Sequence, residues 1–164
     1  MIDRVLEALR TAIEIEHRGH AFYLDAAAQV HNPVAESVMV ALAHDEEEHE
    51  ASINQFYHAL EHGAHWPPPD INLTVVPAAV RINAIFAAFD RKIGADESFI
   101  GVYEAAKSFE IQTRDFYHDQ LESATDTRVK AFFNFMKNME NAHVEMLDIL
   151  LESTRRALKE LDPV

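Results

Sequence analysis

The chain has 164 residues, no cysteine and a formal charge of −14 at pH 7. This length suits one domain with a substantial core, and the absence of thiols excludes disulfides, thiolate zinc sites and iron–sulfur clusters. The acidic charge argues against nucleic acid or an anionic membrane as a partner. Because neither a leader nor an apolar run of spanning length is recognisable, we expect a cytoplasmic protein without membrane segments.

Apolar residues recurring at steps of three and four predict four long helices. We expect them at about 2–31, 33–62, 96–123 and 126–161, with a crossover at 63–95. Short connections pair the first with the second helix and the third with the fourth, so that two antiparallel hairpins are joined by the crossover. The predicted fold is all-α, a single ferritin-like four-helix bundle domain over residues 1–164.

Capping residues support these boundaries. Asn32 provides an N-cap before Pro33 at the first helical position, and Gly63 ends the second helix. Residues 65–70, His-Trp-Pro-Pro-Pro-Asp, cannot continue a helix, whereas residues 125–127, Thr-Asp-Thr, offer caps for the fourth. Within the crossover, four apolar residues near helical spacing predict a short amphipathic helix: Val80, Phe86, Phe89 and Ile93.

The inner face of every long helix is interrupted by a glutamate, and in two helices also by a histidine. These positions repeat with one offset of 94 residues, so that each half of the chain contains a lone Glu, a Tyr seven residues later, and then Glu-x-x-His. Residues three apart on a helix point the same way, and buried carboxylates need a partner. Four carboxylates and two imidazoles suit two divalent first-row metals. We expect Glu46 and Glu140 to bridge the ions and Glu16 and Glu110 to cap them. His49 and His143 complete the set of six ligands.

Other charged groups lack this register. Glu14 and His17 form a third Glu-x-x-His, but the 94-residue offset places Ser108 and Ile111 opposite them, so we assign the pair to the helix surface. Two further groups are interpreted as solvated. One group flanks Glu46 and could contain a residue that orients a ligand histidine: Asp45, Glu47, Glu48 and Glu50. The other lies at the end of the second helix and could bind a surface metal: His58, His62 and His65.

The repeated unit resembles the rubrerythrin-type, ferritin-like diiron proteins. The likeness is carried by residues 12–16, 22–23, 42–49, 105–117 and 140–143, which cover both helix pairs but not the crossover. It implies two iron ions per chain, with manganese or zinc as alternatives, that react with hydrogen peroxide or dioxygen. It also implies a homodimer, Tyr23 and Tyr117 as hydrogen-bond donors beside the ions, and no catalytic residues beyond the metal ligands.

Two departures from that family pattern refine the expectation. The chain has no rubredoxin domain, so electrons would come from a separate donor protein. The additional glutamate that rubrerythrins have near the third-helix ligand is missing, because the neighbours of Glu110 on that face are Lys107, Thr113 and Arg114. The resemblance therefore implies a plainer and more symmetric site.

Three functions remain open at this point. The leading one is a diiron-carboxylate oxidoreductase. The second is a ferroxidase or iron-handling protein, which would oxidise many irons per chain and form a shell. The third is a non-enzymatic helical module that holds zinc or no metal.

Overall fold

The computed structural model describes residues 2–63, 75–89 and 97–161. Five helices make up nearly all of this part, which contains no strand: α1 (Ile2–Gln29), α2 (Pro33–Glu61), α3 (Ala78–Phe89), α4 (Ser98–Ser123) and α5 (Thr127–Leu161). The fold class predicted from the sequence is confirmed, including the short helix in the crossover. No helix in these ranges is both long and apolar enough to cross a bilayer.

Side-chain contacts show that each hairpin is antiparallel. From α1 to α2, Arg10 contacts Tyr57 and His17 contacts Glu50, so one residue number rises as the other falls. From α4 to α5, the ion pairs Glu104–Arg155 and Lys107–Asp148 likewise join a rising residue number to a falling one. The two hairpins then pack against each other with their inner faces in contact.

The connections within the hairpins are capped as the sequence predicts. Asn32 Oδ1 accepts hydrogen bonds from the backbone N–H groups of Val34 at 2.9 Å and Ala35 at 3.2 Å. Gly63 has φ +69°, the left-handed conformation that favours glycine after a helix. Asp126 accepts a 2.8 Å bond from the backbone N–H of Arg128 at the start of α5. These residues thus define the two ends of α2 and the start of α5.

Helix α3 packs across α2 and α5, but not through all the residues expected. Ala78 and Ile82 are its buried residues, whereas Val80 is 59% exposed. Val80 is one of the four apolar residues from which this helix was predicted, but the apolar stripe runs instead through Ala78, Ile82 and the half-buried Ile85 and Phe86. Ile93 and Trp66 lie outside the described residues.

The core consists of two apolar clusters separated by a polar layer. One contains Val34, Leu42 and Leu147, and the other contains Leu9, Ile53 and Phe133. The six glutamates and histidines singled out by the repeat lie between these two regions along each helix. All are buried, with at most 3% of any of them exposed to solvent.

Candidate metal centre

The polar layer brings together all six residues of the 94-residue repeat. Their carboxylate oxygens and ring nitrogens fall into two groups, in each of which the ligand atoms lie within 4.8 Å of one another. The groups share Glu46 and are as follows: Glu16, Glu46 and His49; Glu46, Glu110, Glu140 and His143. Four helices of the bundle therefore each contribute to one compact cluster.

The two histidines lie side by side and face the carboxylates with the same ring nitrogen. Their ring centroids are 5.2 Å apart and the ring planes are 16° from parallel. His49 Nδ1 lies 3.1 Å from Glu16 Oε2, and His143 Nδ1 lies 3.4 Å from Glu110 Oε2. The pseudo-twofold relation read from the sequence is thus present in the structure.

Glu140 and Glu46 lie between the two histidines. Glu140 Oε1 is 3.2 Å from His49 Nδ1, and its Oε2 is 3.3 Å from His143 Nδ1. Glu46 Oε1 is 3.1 Å from His143 Nδ1 and 3.9 Å from His49 Nδ1. Glu140 thus presents one oxygen to each histidine, whereas Glu46 presents Oε1 to both. Both carboxylates lie between the two halves of the cluster, and their bridging of two ions stays a prediction.

The atoms that face this centre have unused bonding capacity. Within the described residues, no hydrogen bond reaches either oxygen of Glu46 or Glu140, Oε2 of Glu110, or Nδ1 of His143. Buried polar atoms without partners cost on the order of 1–3 kcal/mol each. Cations would satisfy them, and the mixed carboxylate and imidazole set suits first-row divalent metals. The residues present therefore fit a pair of such ions.

Burial and mutual repulsion also hold protons in the cluster. Burial, reinforced by the charges of Glu16 and Glu110, raises the pKa of Glu46 well above its ordinary value. Burial raises the pKa of Glu110 to about 8, although the charge of His143 opposes the shift. Burial would lower the pKa of His49, but the charges of Glu140 and Glu16 raise it well above its usual range. Protons thus take the place of metal charge in the metal-free protein.

Two buried tyrosines connect the halves of the cluster. Tyr23 of the first hairpin donates to Oε1 of Glu110 in the second, and Tyr117 of the second donates to Oε1 of Glu16 in the first. Burial, followed by the nearby carboxylate charge, raises the pKa of both phenols well above the usual value, so each remains a donor. Each tyrosine fixes one oxygen of a capping glutamate and leaves the other oxygen to face the centre.

We expect Tyr23→Phe to lower the free energy of unfolding by about 1–3 kcal/mol, because Glu110 Oε1 would be buried without its partner. Chemical denaturation of the metal-free protein measures this loss. The matched control is Tyr57→Phe, whose hydroxyl accepts hydrogen bonds from Arg10, an exposed residue that can bond to water instead. Equal losses in the two variants would show that the Tyr23 bond contributes nothing specific to the cluster.

Gly19 allows a close approach that sequence reasoning missed. A Cβ at this position would lie 2.6 Å from Glu46 Oε2 and 3.0 Å from Phe109 Cε1. The 94-residue offset places Thr113 at the equivalent position in the second hairpin. One feature of the sequence could have indicated this close approach. Gly19 follows Glu16 by three residues, and the repeat has the larger Thr113 at the equivalent position.

In the group of acidic residues that flank Glu46, the structure singles out Asp45, and it adds Arg81 as a further functional candidate. Asp45 lies 3.2 Å from Nε2 of His143 and pairs with Arg81 of α3. Burial opposes ionisation of Asp45, but its contacts with His143 and Arg81 lower its pKa. The position of Asp45 beside His143 agrees with the alternative that one residue of this group orients a ligand histidine, while Glu47 and Glu48 are exposed as expected. The sequence indicated Asp45 only by its position next to Glu46, and nothing in the sequence indicated a functional role for Arg81.

The remaining groups lie at the surface, as the sequence reasoning expected. Glu14 and His17 are exposed, and His17 contacts Glu50 at 3.3 Å. His58, Glu61 and His62 form a third group with ligand atoms within 4.8 Å of one another, but all three are exposed at the end of α2. Water can satisfy their polar atoms, so nothing about their burial requires a cation. His65 lies outside the described residues.

Comparison with known proteins agrees with this geometry. The rubrerythrin family model matches residues 7–151, which include all six clustered residues and both tyrosines. Comparisons with curated proteins and with solved structures gave no match. Since the family match covers most of the 164 residues, the chain belongs to the rubrerythrin family.

Proposed function

We propose that this protein is a diiron-carboxylate oxidoreductase that reacts with hydrogen peroxide or dioxygen and receives electrons from a separate donor protein. The observation that supports it most is the convergence of four buried carboxylates and two imidazoles. Among their facing atoms, both oxygens of Glu46 and Glu140, Oε2 of Glu110 and Nδ1 of His143 form no hydrogen bond with the described residues. Membership of the rubrerythrin family agrees with a diiron centre. When bound, the two irons would supply the redox chemistry of the reaction.

The residues of the chain would hold and shield these ions. Glu16 and Glu110 would each bind one ion while Tyr117 and Tyr23 keep the carboxylates in place, and Glu46 and Glu140 would contact both. The apolar clusters on either side exclude bulk water, which strengthens electrostatic interactions in the centre. These 164 residues contain no cysteine and so hold no iron–sulfur or rubredoxin-type carrier, which agrees with the proposal of a separate electron donor.

Anaerobic loading with Fe(II), followed by stopped-flow mixing with hydrogen peroxide and separately with dioxygen, tests this function. We expect two irons per chain and oxidation of the bound iron faster than that of free Fe(II) under the same conditions. Repeated reduction and oxidation with two irons retained would support an oxidoreductase. Accumulation of many irons in a shell-sized assembly would instead indicate iron handling, and bound iron inert to both oxidants would refute the proposal.

Ion binding should also release protons, and affinity should rise with pH. Because Glu110 has a pKa of about 8 without metal, it carries a proton at neutral pH that a bound cation must displace. The affinity is therefore expected to fall as the pH is lowered from about 8 toward about 6. Calorimetric titration with Mn(II) in two buffers of different ionisation enthalpy measures the protons released. A heat of binding that does not depend on the buffer would contradict the expectation.

A further inference from the structure

The outer edge of His143 has a charged partner. Its Nδ1 faces Glu46, Glu110 and Glu140, and its Nε2 lies 3.2 Å from Asp45 Oδ2 on the opposite side of the ring. A histidine that binds a cation through Nδ1 must carry its proton on Nε2, so His143 would donate that proton to the Asp45 carboxylate. This contact fixes both the tautomer and the orientation of the ring.

Asp45 is itself held in place by the crossover helix. Arg81 of α3 forms an ion pair with the same Oδ2 that faces His143. The side chains are only 13% exposed for Asp45 and 21% for Arg81. Because the pair is shielded from solvent and links two helices, the carboxylate has little freedom to turn away from His143.

His49 has no equivalent partner among the residues that the structure describes. Its Nδ1 faces Glu16 and Glu140, but its Nε2 is buried and forms no hydrogen bond with any part of the chain that the structure describes. The 94-residue offset explains the difference, since the position equivalent to Asp45 is Met139. A thioether is only a weak acceptor and carries no charge. The pseudo-symmetry of the ligands therefore does not extend to the residues behind them.

We propose that Asp45, held by Arg81, is a positioning residue that makes the two ion sites unequal, so that the site beside Glu110 and His143 binds its ion more tightly. A carboxylate behind a ligand histidine orients the ring and increases the basicity of the ligating nitrogen, and its loss typically costs on the order of 10- to 100-fold in metal affinity. The inference rests on the proposed function only in requiring that the cluster binds two ions.

Titration of metal-free protein with Co(II) under anaerobic conditions, followed by visible absorption, tests the inequality. We expect two binding events in the natural chain, and Asp45→Asn should weaken the tighter event on the order of 10- to 100-fold while changing the weaker one little. Arg81→Gln, which keeps Asp45 but frees it, should weaken the same event by a smaller factor. The matched control is Asp148→Asn, which breaks an ion pair with Lys107 but touches no ligand; both events should be unchanged.

A second measurement separates positioning of His143 from a general loss of structure. In the protein loaded with Zn(II), the Nε2–H proton of His143 should appear downfield and exchange slowly in nuclear magnetic resonance spectra, and Asp45→Asn should abolish both properties without changing His49.

Equal weakening of both Co(II) events in Asp45→Asn, or identical N–H behaviour of the two histidines, would overturn the inference. If two ions bind and Asp45→Asn has no effect, the inference alone fails. If no ion binds, the proposed function fails with it.

Discussion

Glu140→Gln is expected to abolish binding of both ions. One Glu140 oxygen lies beside His49 and the other beside His143, so the substitution removes a negative ligand from each site at once. An amide keeps the size of the side chain but not its charge. At an ion concentration one hundred times the Kd, each occupied site stabilises the folded chain by about 2.7 kcal/mol. Thermal unfolding with and without Mn(II) should therefore show a large increase in Tm for the natural chain and almost none for the variant.

The third Glu-x-x-His, formed by Glu14 and His17 at the helix surface, provides the matched control for this experiment. Glu14→Gln makes the same chemical change in the same kind of motif, but on the exposed face of α1. Its Mn(II)-dependent shift in Tm should equal that of the natural chain. If Glu14→Gln and Glu140→Gln reduced the shift equally, the buried cluster would not be the metal site.

Gly19→Ala is expected to weaken ion binding without unfolding the chain. Alanine favours a helix interior over glycine by about 0.8–1 kcal/mol, which offsets part of any local crowding. Its Cβ would meet Glu46 Oε2 at 2.6 Å, so the carboxylate shared by both sites must move. We expect the affinity for Co(II) to fall at least as much as on loss of an outer hydrogen-bond partner, on the order of 10- to 100-fold.

Gly101→Ala is the control for the change in helix propensity. Gly101 also lies within a helix, but nothing comes within 4 Å of a Cβ built there. This variant should be slightly more stable and bind Co(II) as the natural chain does. Unchanged binding in Gly19→Ala would mean that Glu46 can move aside without loss, and that the close approach has no role in the site.

The buried cluster of glutamates and histidines could be predicted from the sequence because it follows from spacing within single helices. Glu46 and His49 lie on the same face as Leu42 and Ile53, and all four residues are buried in the structure. Once the bundle brings such faces together, residues at equivalent heights must meet. The internal repeat then identified the charged residues that belong to the cluster, including the exclusion of Glu14.

Contacts between elements without a common register could not be predicted. Arg81 reaches Asp45 only because α3 docks on α2 and α5, and nothing in the length or composition of the crossover sets that docking. The pairing of each tyrosine with the glutamate of the opposite hairpin depends on the separation of the hairpins, which periodicity does not report. The exposure of Val80 could not be predicted for a similar reason, since a short apolar helix offers more than one possible stripe.

The hairpin repeat has a consequence for how such a protein could have arisen. Each hairpin contains a complete set of one lone glutamate and one Glu-x-x-His, so two copies of a single hairpin could build the same six-ligand cluster as a symmetric pair. Fusing the copies into one polypeptide frees them from being identical. Gly19 opposite Thr113, and Asp45 opposite Met139, are differences that two identical subunits could never acquire separately. Duplication and fusion would thus turn one symmetric centre into two positions that selection can modify independently.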